Sequence, residues 1–266
     1  RRQRAGRLML RRLPDTLVNQ IAAGEVVERP ASAVKELVEN AIDAGATRID
    51  VTLRDGGRTL LQVVDNGKGM TAEALALAVE RHATSKLPDD DLVAIRHLGF
   101  RGEALPSIGA VSRLTLQSRA QGGEGWQLTV EGGAKGPVQP AAIQAGTRVD
   151  VRDLFYATPA RLKFLKAVRT EVGYASDILK RLAMARPDIG FTLKDGDRKV
   201  LDYPARTGDL FEARLGRLGQ VMGREFHENA LPVDAEREGV RLTGYARVPT
   251  LNRGNAQLQF LFVNGR

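Results

Sequence analysis

The sequence predicts an α+β fold: a sandwich of mainly antiparallel sheet with helices on one face. Three observations predict it. An apolar stripe of 3.6-residue period (Val34, Leu37, Val38, Ala41, Ile42) marks an amphipathic helix. Apolar and polar residues alternate over 47–53, as strands do, and further strands are read over 59–64, 113–118, 125–131 and 148–154. The strands also come in neighbouring pairs rather than alternating singly with helices, which favours antiparallel pairing and an open sheet.

Residues 14–27 read as a short helix running into a glycine-interrupted stretch, Ala22-Ala23-Gly24-Glu25. The helix over 30–45 has Pro30 in its first turn and Gly45 as a left-handed C-cap. Asp55-Gly56-Gly57 supplies a hairpin turn between the first two strands. A long helix is expected over 171–185, and strands recur at 240–245 and 257–263. From 206 to 224 the chain turns rich in Gly, Arg and Leu. This predicts a basic, disordered tail over 1–12, a first domain over 13–215 and the first part of a second over 216–266. A unit of about 50 residues is short for an independent core, so a fragment of a longer protein is expected.

Composition removes several function classes. The chain has 266 residues, is 42% hydrophobic and contains no cysteine, which excludes intrinsic disorder, disulfides, zinc–thiolate sites and thiol nucleophiles. Cysteine absence points to the cytoplasm, and no apolar run approaches the ~18–20 residues of a membrane span. Three scattered histidines (His82, His97, His227) make no metal cage. The net charge of +8 owes six units to arginines within residues 1–12, a stretch that is either a basic arm or sequence upstream of a start at Met9. A second basic segment, 152–186, sets eight Lys/Arg against three acids and is either a phosphate-neutralising patch or a solvated face.

Three groups of residues carry candidate chemistry. Glu36, Asn40 and Asp43 fall at i, i+4 and i+7, on one helix face. An amide oxygen there is able to ligate a hard cation whose other ligands are phosphates and waters, and a carboxylate one turn away is able to orient a water. Asp65-Asn66-Gly67-Lys68-Gly69-Met70 directly follows a strand, where its glycines admit a flat ligand and its carboxylate an exocyclic amine. Arg81-His82-Ala83-Thr84-Ser85-Lys86 and Leu98-Gly99-Phe100-Arg101-Gly102-Glu103-Ala104-Leu105 offer hydroxyls, an ammonium and free backbone N–H groups to an oligophosphate. Taken alone, the first two groups read more readily as a solvated helix face and an ordinary loop, and the third as a structural loop. No Walker-type or dinucleotide-binding glycine motif occurs.

Taken in this order and spacing, the motifs resemble the GHKL ATPases (gyrase, Hsp90, histidine kinase, MutL), and within them the MutL branch of DNA mismatch repair. The deciding runs are Asn19-Gln20-Ile21-Ala22-Ala23-Gly24-Glu25-Val26-Val27 with Arg29-Pro30, then Lys35-Glu36-Leu37-Val38-Glu39-Asn40, then Gly99-Phe100-Arg101-Gly102-Glu103-Ala104-Leu105. Support comes from Gly146-Thr147, Asp153-Leu154-Phe155-Tyr156, Thr158-Pro159-Ala160-Arg161 and Phe262-Val263-Asn264-Gly265-Arg266. The resemblance is dense from 13 to about 166 and loose between 187 and 256.

The resemblance implies a Bergerat-type ATP-binding sandwich followed by the start of a ribosomal-S5-like domain. It implies Glu36 as general base, Asn40 as Mg²⁺ ligand and Asp65 as the adenine-reading carboxylate, with Gly67, Gly69 and Met70 shaping the pocket and Thr147 supporting it. Thr84, Ser85 and Lys86 would approach phosphates or ribose, and Gly99, Phe100, Arg101, Gly102 and Glu103 would form a lid. ATP and Mg²⁺ are the implied ligands. The implied activity is slow ATP hydrolysis that switches a homodimer and couples mismatch recognition to strand incision. DNA held non-specifically by its backbone, a MutS-type recognition protein and a downstream endonuclease or helicase are the implied partners. Arg161, Lys163, Lys166 and Arg266 are the candidate DNA contacts. The family's phosphate-sensing lysine is expected beyond Arg266. The rival readings are another GHKL member, such as a topoisomerase subunit or chaperone, and a non-hydrolysing ATP-gated interaction module.

Overall fold

The computed structural model describes residues 14–81, 102–248 and 259–263. The chain opens with α1 (Asp15–Val26) and α2 (Pro30–Asp43). Pro30 sits in the first turn of α2, where a missing N–H costs no helical hydrogen bond. At the other end Gly45 adopts φ 74°. Its N–H donates to the Ile42 carbonyl at 2.9 Å and the Ala46 N–H to the Ala41 carbonyl at 3.1 Å. This paired closure is what a left-handed glycine after the last helical turn permits. The expected interruption at Gly24 does not occur. Helix α1 runs through it, and the space a side chain would take is filled by the Arg161 guanidinium.

Among the described residues nine strands form one sheet. They are β1 (Arg48–Arg54), β2 (Leu60–Asp65), β3 (Arg113–Arg119), β4 (Gly125–Glu131), β5 (Ala134–Lys135), β6 (Gln139–Pro140), β7 (Gly146–Arg152), β8 (Gly190–Asp195) and β9 (Arg198–Tyr203). Their order is β5-β4-β3-β7-β2-β1-β8-β9, with β6 beside β4. Every pairing is antiparallel except β1 with β8. The strand expected over 148–154 stops at Arg152, because Asp153 and Phe155 take positive φ (49° and 71°), which no ladder accommodates.

One sheet face is apolar. Ile49, Val51 and Leu53 of β1, Leu114 and Leu116 of β3, Val149 and Val151 of β7, and Phe191 and Leu193 of β8 are all buried. Against this face pack α2, α3 (Ala72–Ala78), α4 (Ala104–Val111) and α5 (Val168–Ala185), with α1 lying on α4. Each such fully buried aliphatic side chain stabilises the fold by roughly 1.5–3 kcal/mol. The opposite face is polar and laced by side chains: Gln62 Nε2 donates to Asp150 Oδ1 at 2.9 Å and Thr192 Oγ1 to Asp50 Oδ1 at 2.6 Å. The expected layering of helices on one face is thus the observed one. The parallel strand β8 and its partner β9 were not foreseen.

Beyond the sheet come α6 (Leu210–Met222), α7 (Arg224–Glu228) and a hairpin of β10 (Ala230–Arg237) with β11 (Val240–Arg247). Helix α6 crosses the expected 215/216 boundary without a break. Its Arg217 is fully buried and donates to the carbonyls of Ala183, Pro187, Ile189 and Pro204 at 2.8–3.1 Å. The strand expected over 257–263 is not formed where it is described. Residues 259–263 are irregular, and Leu261 and Val263 stand 86% and 75% exposed. No helix among the described residues is long and apolar enough to cross a membrane.

Candidate functional site

The site is built around the end of β2. Asp65 is that strand's last residue and lies opposite Thr147 of β7. Its Oδ1 accepts the Gly67 N–H at 2.8 Å, and the carboxylate also accepts the Thr147 N–H. Burial nevertheless pushes the Asp65 carboxyl above the usual carboxylate range, and these two N–H groups only partly offset it.

The loop after Asp65 is fixed on three sides. Lys68 N–H donates to the Ala44 carbonyl at 3.0 Å. A Cβ on Gly67 would meet the Ala44 Cβ and carbonyl oxygen at 2.9 Å, so only glycine lets the loop sit this close to the end of α2. Asn66 Oδ1 accepts the Thr47 and Arg48 N–H groups, both at 2.9 Å. Gly69, at φ 65°, lies against the Arg119 carbonyl, and Met70 N–H donates to Ser118 Oγ at 2.9 Å.

Ser118 is the residue that sequence reasoning missed. It is fully buried on β3, and its hydroxyl also contacts the Gly146 carbonyl at 3.0 Å and Thr147 Oγ1 at 2.9 Å. One hydroxyl on β3 therefore joins Met70 of the loop to Gly146 and Thr147 of β7. The available signal was its place in the alternation: Leu114, Leu116 and Ser118 share the buried face, and a polar residue there needs partners.

Helix α2 brings the first group to this loop. Its Ala44 cap, which holds Lys68 and Gly67, donates its own N–H to the Asn40 carbonyl at 2.9 Å. Glu36, Asn40 and Asp43 form one partly exposed stripe beside the buried Leu37, Val38, Ala41 and Ile42. Lys35 Nζ lies 3.8 Å from Glu36 Oε1 and 2.9 Å from Glu39 Oε1. Glu39 is buried, and desolvation raises its carboxyl above the usual range despite that lysine. Gly102 and Glu103 lead into α4, which packs on α1 and α2. Thr84, Ser85, Lys86, Gly99, Phe100 and Arg101 lie outside the described residues, as does Arg266.

The basic candidates separate. Arg161 is occupied within the fold: it donates to the Gly24 and Val27 carbonyls at 3.1 and 3.3 Å and approaches the Phe155 ring. Its half-buried guanidinium ties the end of α1 to the 3₁₀ turn Pro159–Phe164. Lys163, Lys166 and Arg169 are exposed.

Comparison with known proteins agrees with this geometry. Residues 28–135 match the family described as histidine kinase-, DNA gyrase B- and HSP90-like ATPase, and residues 218–266 match the C-terminal domain of DNA mismatch repair proteins. The structure resembles the Aquifex aeolicus MutL ATPase domain complexed with ADP, with a TM-score of 0.67 and 30% identity. That likeness covers 86% of this chain and 80% of the other. The chain belongs to the MutL family. Two further MutL relatives are those of Paramagnetospirillum magneticum, 67% identical, and Rhodospirillum rubrum, 66% identical, each over 97% of this chain. The chain spans 43% and 41% of the length of those two proteins. Within the MutL family the fold is thus the GHKL sandwich with the start of the C-terminal domain.

Among the described residues no group of three or more His, Cys, Asp or Glu could hold a metal ion, and the implied Mg²⁺ ligand Asn40 lies on the partly exposed stripe of α2. A hard cation with few protein ligands is one whose remaining positions are filled by phosphates and water.

Proposed function

We propose that this chain binds ATP at the β2–α2 junction and hydrolyses it slowly, as the nucleotide switch of a DNA mismatch repair protein. The observation that carries the reading is the partly buried Asp65 carboxylate held by Gly67 and Thr147 on a loop seated against the end of α2. Asp65 accepts the exocyclic amine of adenine, and Gly67, Gly69 and Met70 line the base. Asn40 ligates Mg²⁺, which supplies charge neutralisation on the phosphates when bound. Glu36 orients the attacking water and takes its proton. Lys35, between Glu36 and the buried Glu39, holds that carboxylate's position and charge.

Thr84, Ser85 and Lys86 with the Gly99–Glu103 segment complete the phosphate side and its lid. ADP in the Aquifex aeolicus MutL structure supports a nucleotide ligand. We divide the chain at 215/216 into a nucleotide-binding unit and the start of a second domain, a division the match at 218–266 supports. ATP-driven homodimerisation, non-specific DNA binding, a MutS-type partner, a downstream endonuclease or helicase, and a cytoplasmic location belong to the same reading.

Titration with a non-hydrolysable ATP analogue followed by size analysis tests it: nucleotide-dependent dimerisation is expected. Glu36→Ala keeps Mg·ATP binding and lowers turnover by about 10²–10⁴-fold, whereas Asn40→Ala weakens the Mg²⁺-dependent affinity. Equal loss of binding and turnover in Glu36→Ala, or unchanged affinity in Asn40→Ala, overturns those roles. ATP binding without turnover in a chain extended past Arg266 would favour the ATP-gated interaction module instead.

A further inference from the structure

A second cleft lies away from the Asp65 loop, between the end of α5, the 186–189 turn and α6. Its volume is about 300 Å³, and Arg186, Arg206 and Arg214 line it together with a single carboxylate, Asp188. That carboxylate is already engaged: Arg186 Nη2 and Nε donate to its two oxygens at 2.6 and 2.9 Å. Asp43 adds a more distant negative charge to Arg186 alone. Asp209, at the head of α6, turns its Oδ1 onto the Phe211 and Glu212 N–H groups, and its charge and that of Glu212 reach the same Tyr245 that Arg214 does.

Arg206 makes no ion pair or side-chain hydrogen bond with a described residue, and Arg214 makes one hydrogen bond, a 3.3 Å contact to Thr243 Oγ1. Beneath the cleft the Arg217 guanidinium donates to the Pro187 carbonyl, part of the cleft wall. Burial, and then the charge of Arg206, lower the Arg217 pKa to about 10. Three arginines thus line the cleft against one carboxylate, Asp188, with Asp209 and Glu212 close to Arg214. Guanidiniums gathered on one cleft wall offer several forked donors to a compact anion with several acceptor oxygens.

We propose that this cleft binds a tetrahedral oxyanion of the phosphate class through Arg206 and Arg214, with Arg186 at its rim. The ligand is either free phosphate or a backbone phosphate of a polynucleotide lying across the cleft mouth. The site is separate from the nucleotide pocket and does not depend on that reading. Arg186 is held by Asp188, and Arg217 by backbone carbonyls, so the two remaining guanidiniums supply the forked donors.

The test is calorimetric titration of the whole chain with inorganic phosphate, against chloride at equal ionic strength. Phosphate is expected to bind with a dissociation constant on the order of 1 mM or tighter. Arg206→Gln with Arg214→Gln is expected to weaken it at least tenfold, while Arg206→Lys alone retains part of the affinity. Thermal unfolding of the double variant checks that the fold persists. No phosphate-specific heat in the unsubstituted chain, or equal heat in the folded double variant, overturns the site. Titration with a thymidine oligonucleotide then identifies the source. A salt slope reduced by about 1–2 in the double variant assigns a backbone phosphate. An unchanged slope alongside lost phosphate binding assigns the free ion.

Discussion

Ser118 Oγ lies 2.9 Å from the Met70 backbone nitrogen and accepts its hydrogen, which fixes the far end of the Asp65 loop to β3 of the same sheet. The same hydroxyl meets Thr147 Oγ1, so the loop and the β7 wall share one buried partner. Ser118→Ala removes that partner and leaves a backbone donor and a hydroxyl unpaired. A cost of about 1–3 kcal/mol follows from leaving a buried donor unsatisfied. Urea unfolding measures it, and a fluorescent-ADP titration should show weaker binding in the same variant. Unchanged values in both would remove Ser118 from the site.

Asp65 sets a pH dependence with a definite sign. Its folded pKa is raised by burial, so the folded state holds the proton more tightly than the unfolded chain. Its contribution to stability is therefore fully present below the unfolded value of about 3.8 and is lost as pH rises through the raised folded value. Asp65→Asn should flatten this part of the stability–pH curve, read by thermal melts across the acid range. Nucleotide affinity runs the opposite way. The ionised carboxylate is the stronger acceptor, so affinity should fall as pH drops through the same raised pKa. An affinity independent of pH there would exclude an ionised Asp65 as the base reader.

Arg161 and its basic neighbours should respond differently to truncation. Arg161→Ala leaves the Gly24 and Val27 carbonyls without their guanidinium donor and should destabilise the fold by about 1–3 kcal/mol. Lys163→Ala and Lys166→Ala, both at exposed positions, should leave the melting temperature nearly unchanged while lowering DNA affinity and its salt slope. Stability and DNA binding measured on all three separate packing from phosphate contact. Loss of DNA affinity in Arg161→Ala without loss of stability would return it to the interface.

Arg217 joins α6 to the turns that follow α5 and β9 through four carbonyls within 3.1 Å. Arg217→Met keeps an apolar stem but supplies no donor, so several buried carbonyls lose their partner at once. A destabilisation of about 3 kcal/mol or more is expected, since each unsatisfied group costs about 1–3 kcal/mol. Hydrogen exchange should show the α6 amides losing protection ahead of those of β1 and β2. Uniform loss throughout the sheet would contradict a local docking role.

Much of this was legible before any tertiary structure. The stripe on α2 and its two ends are local: Pro30 and Gly45 act within one turn, and the periodicity follows from helix geometry alone. Alternation revealed β1, β2, β3, β4 and β7 in the same way, and the order of the motifs along the chain carried the family resemblance. The α1 reading failed at Gly24 because the residue that fills the missing side chain's space, Arg161, is 137 positions away. The strand expected at the chain's end fails over 259–263, because alternation creates a strand only where a neighbouring ladder accepts it.

The sequence by itself determined α2 and its two ends, the strands β1, β2, β3, β4 and β7, and the motifs that carry the family resemblance. Only the tertiary structure decided that β2 lies between β1 and β7, which sets Asp65 opposite Thr147 and brings Ser118 under Met70. It also decided that Arg161 and Arg217 are spent on backbone carbonyls. The reason is one of range. Periodicity and capping record the energy of neighbours within a turn or two, whereas strand order and the partner of a long side chain depend on contacts between residues far apart in the chain, which leave no local pattern to read.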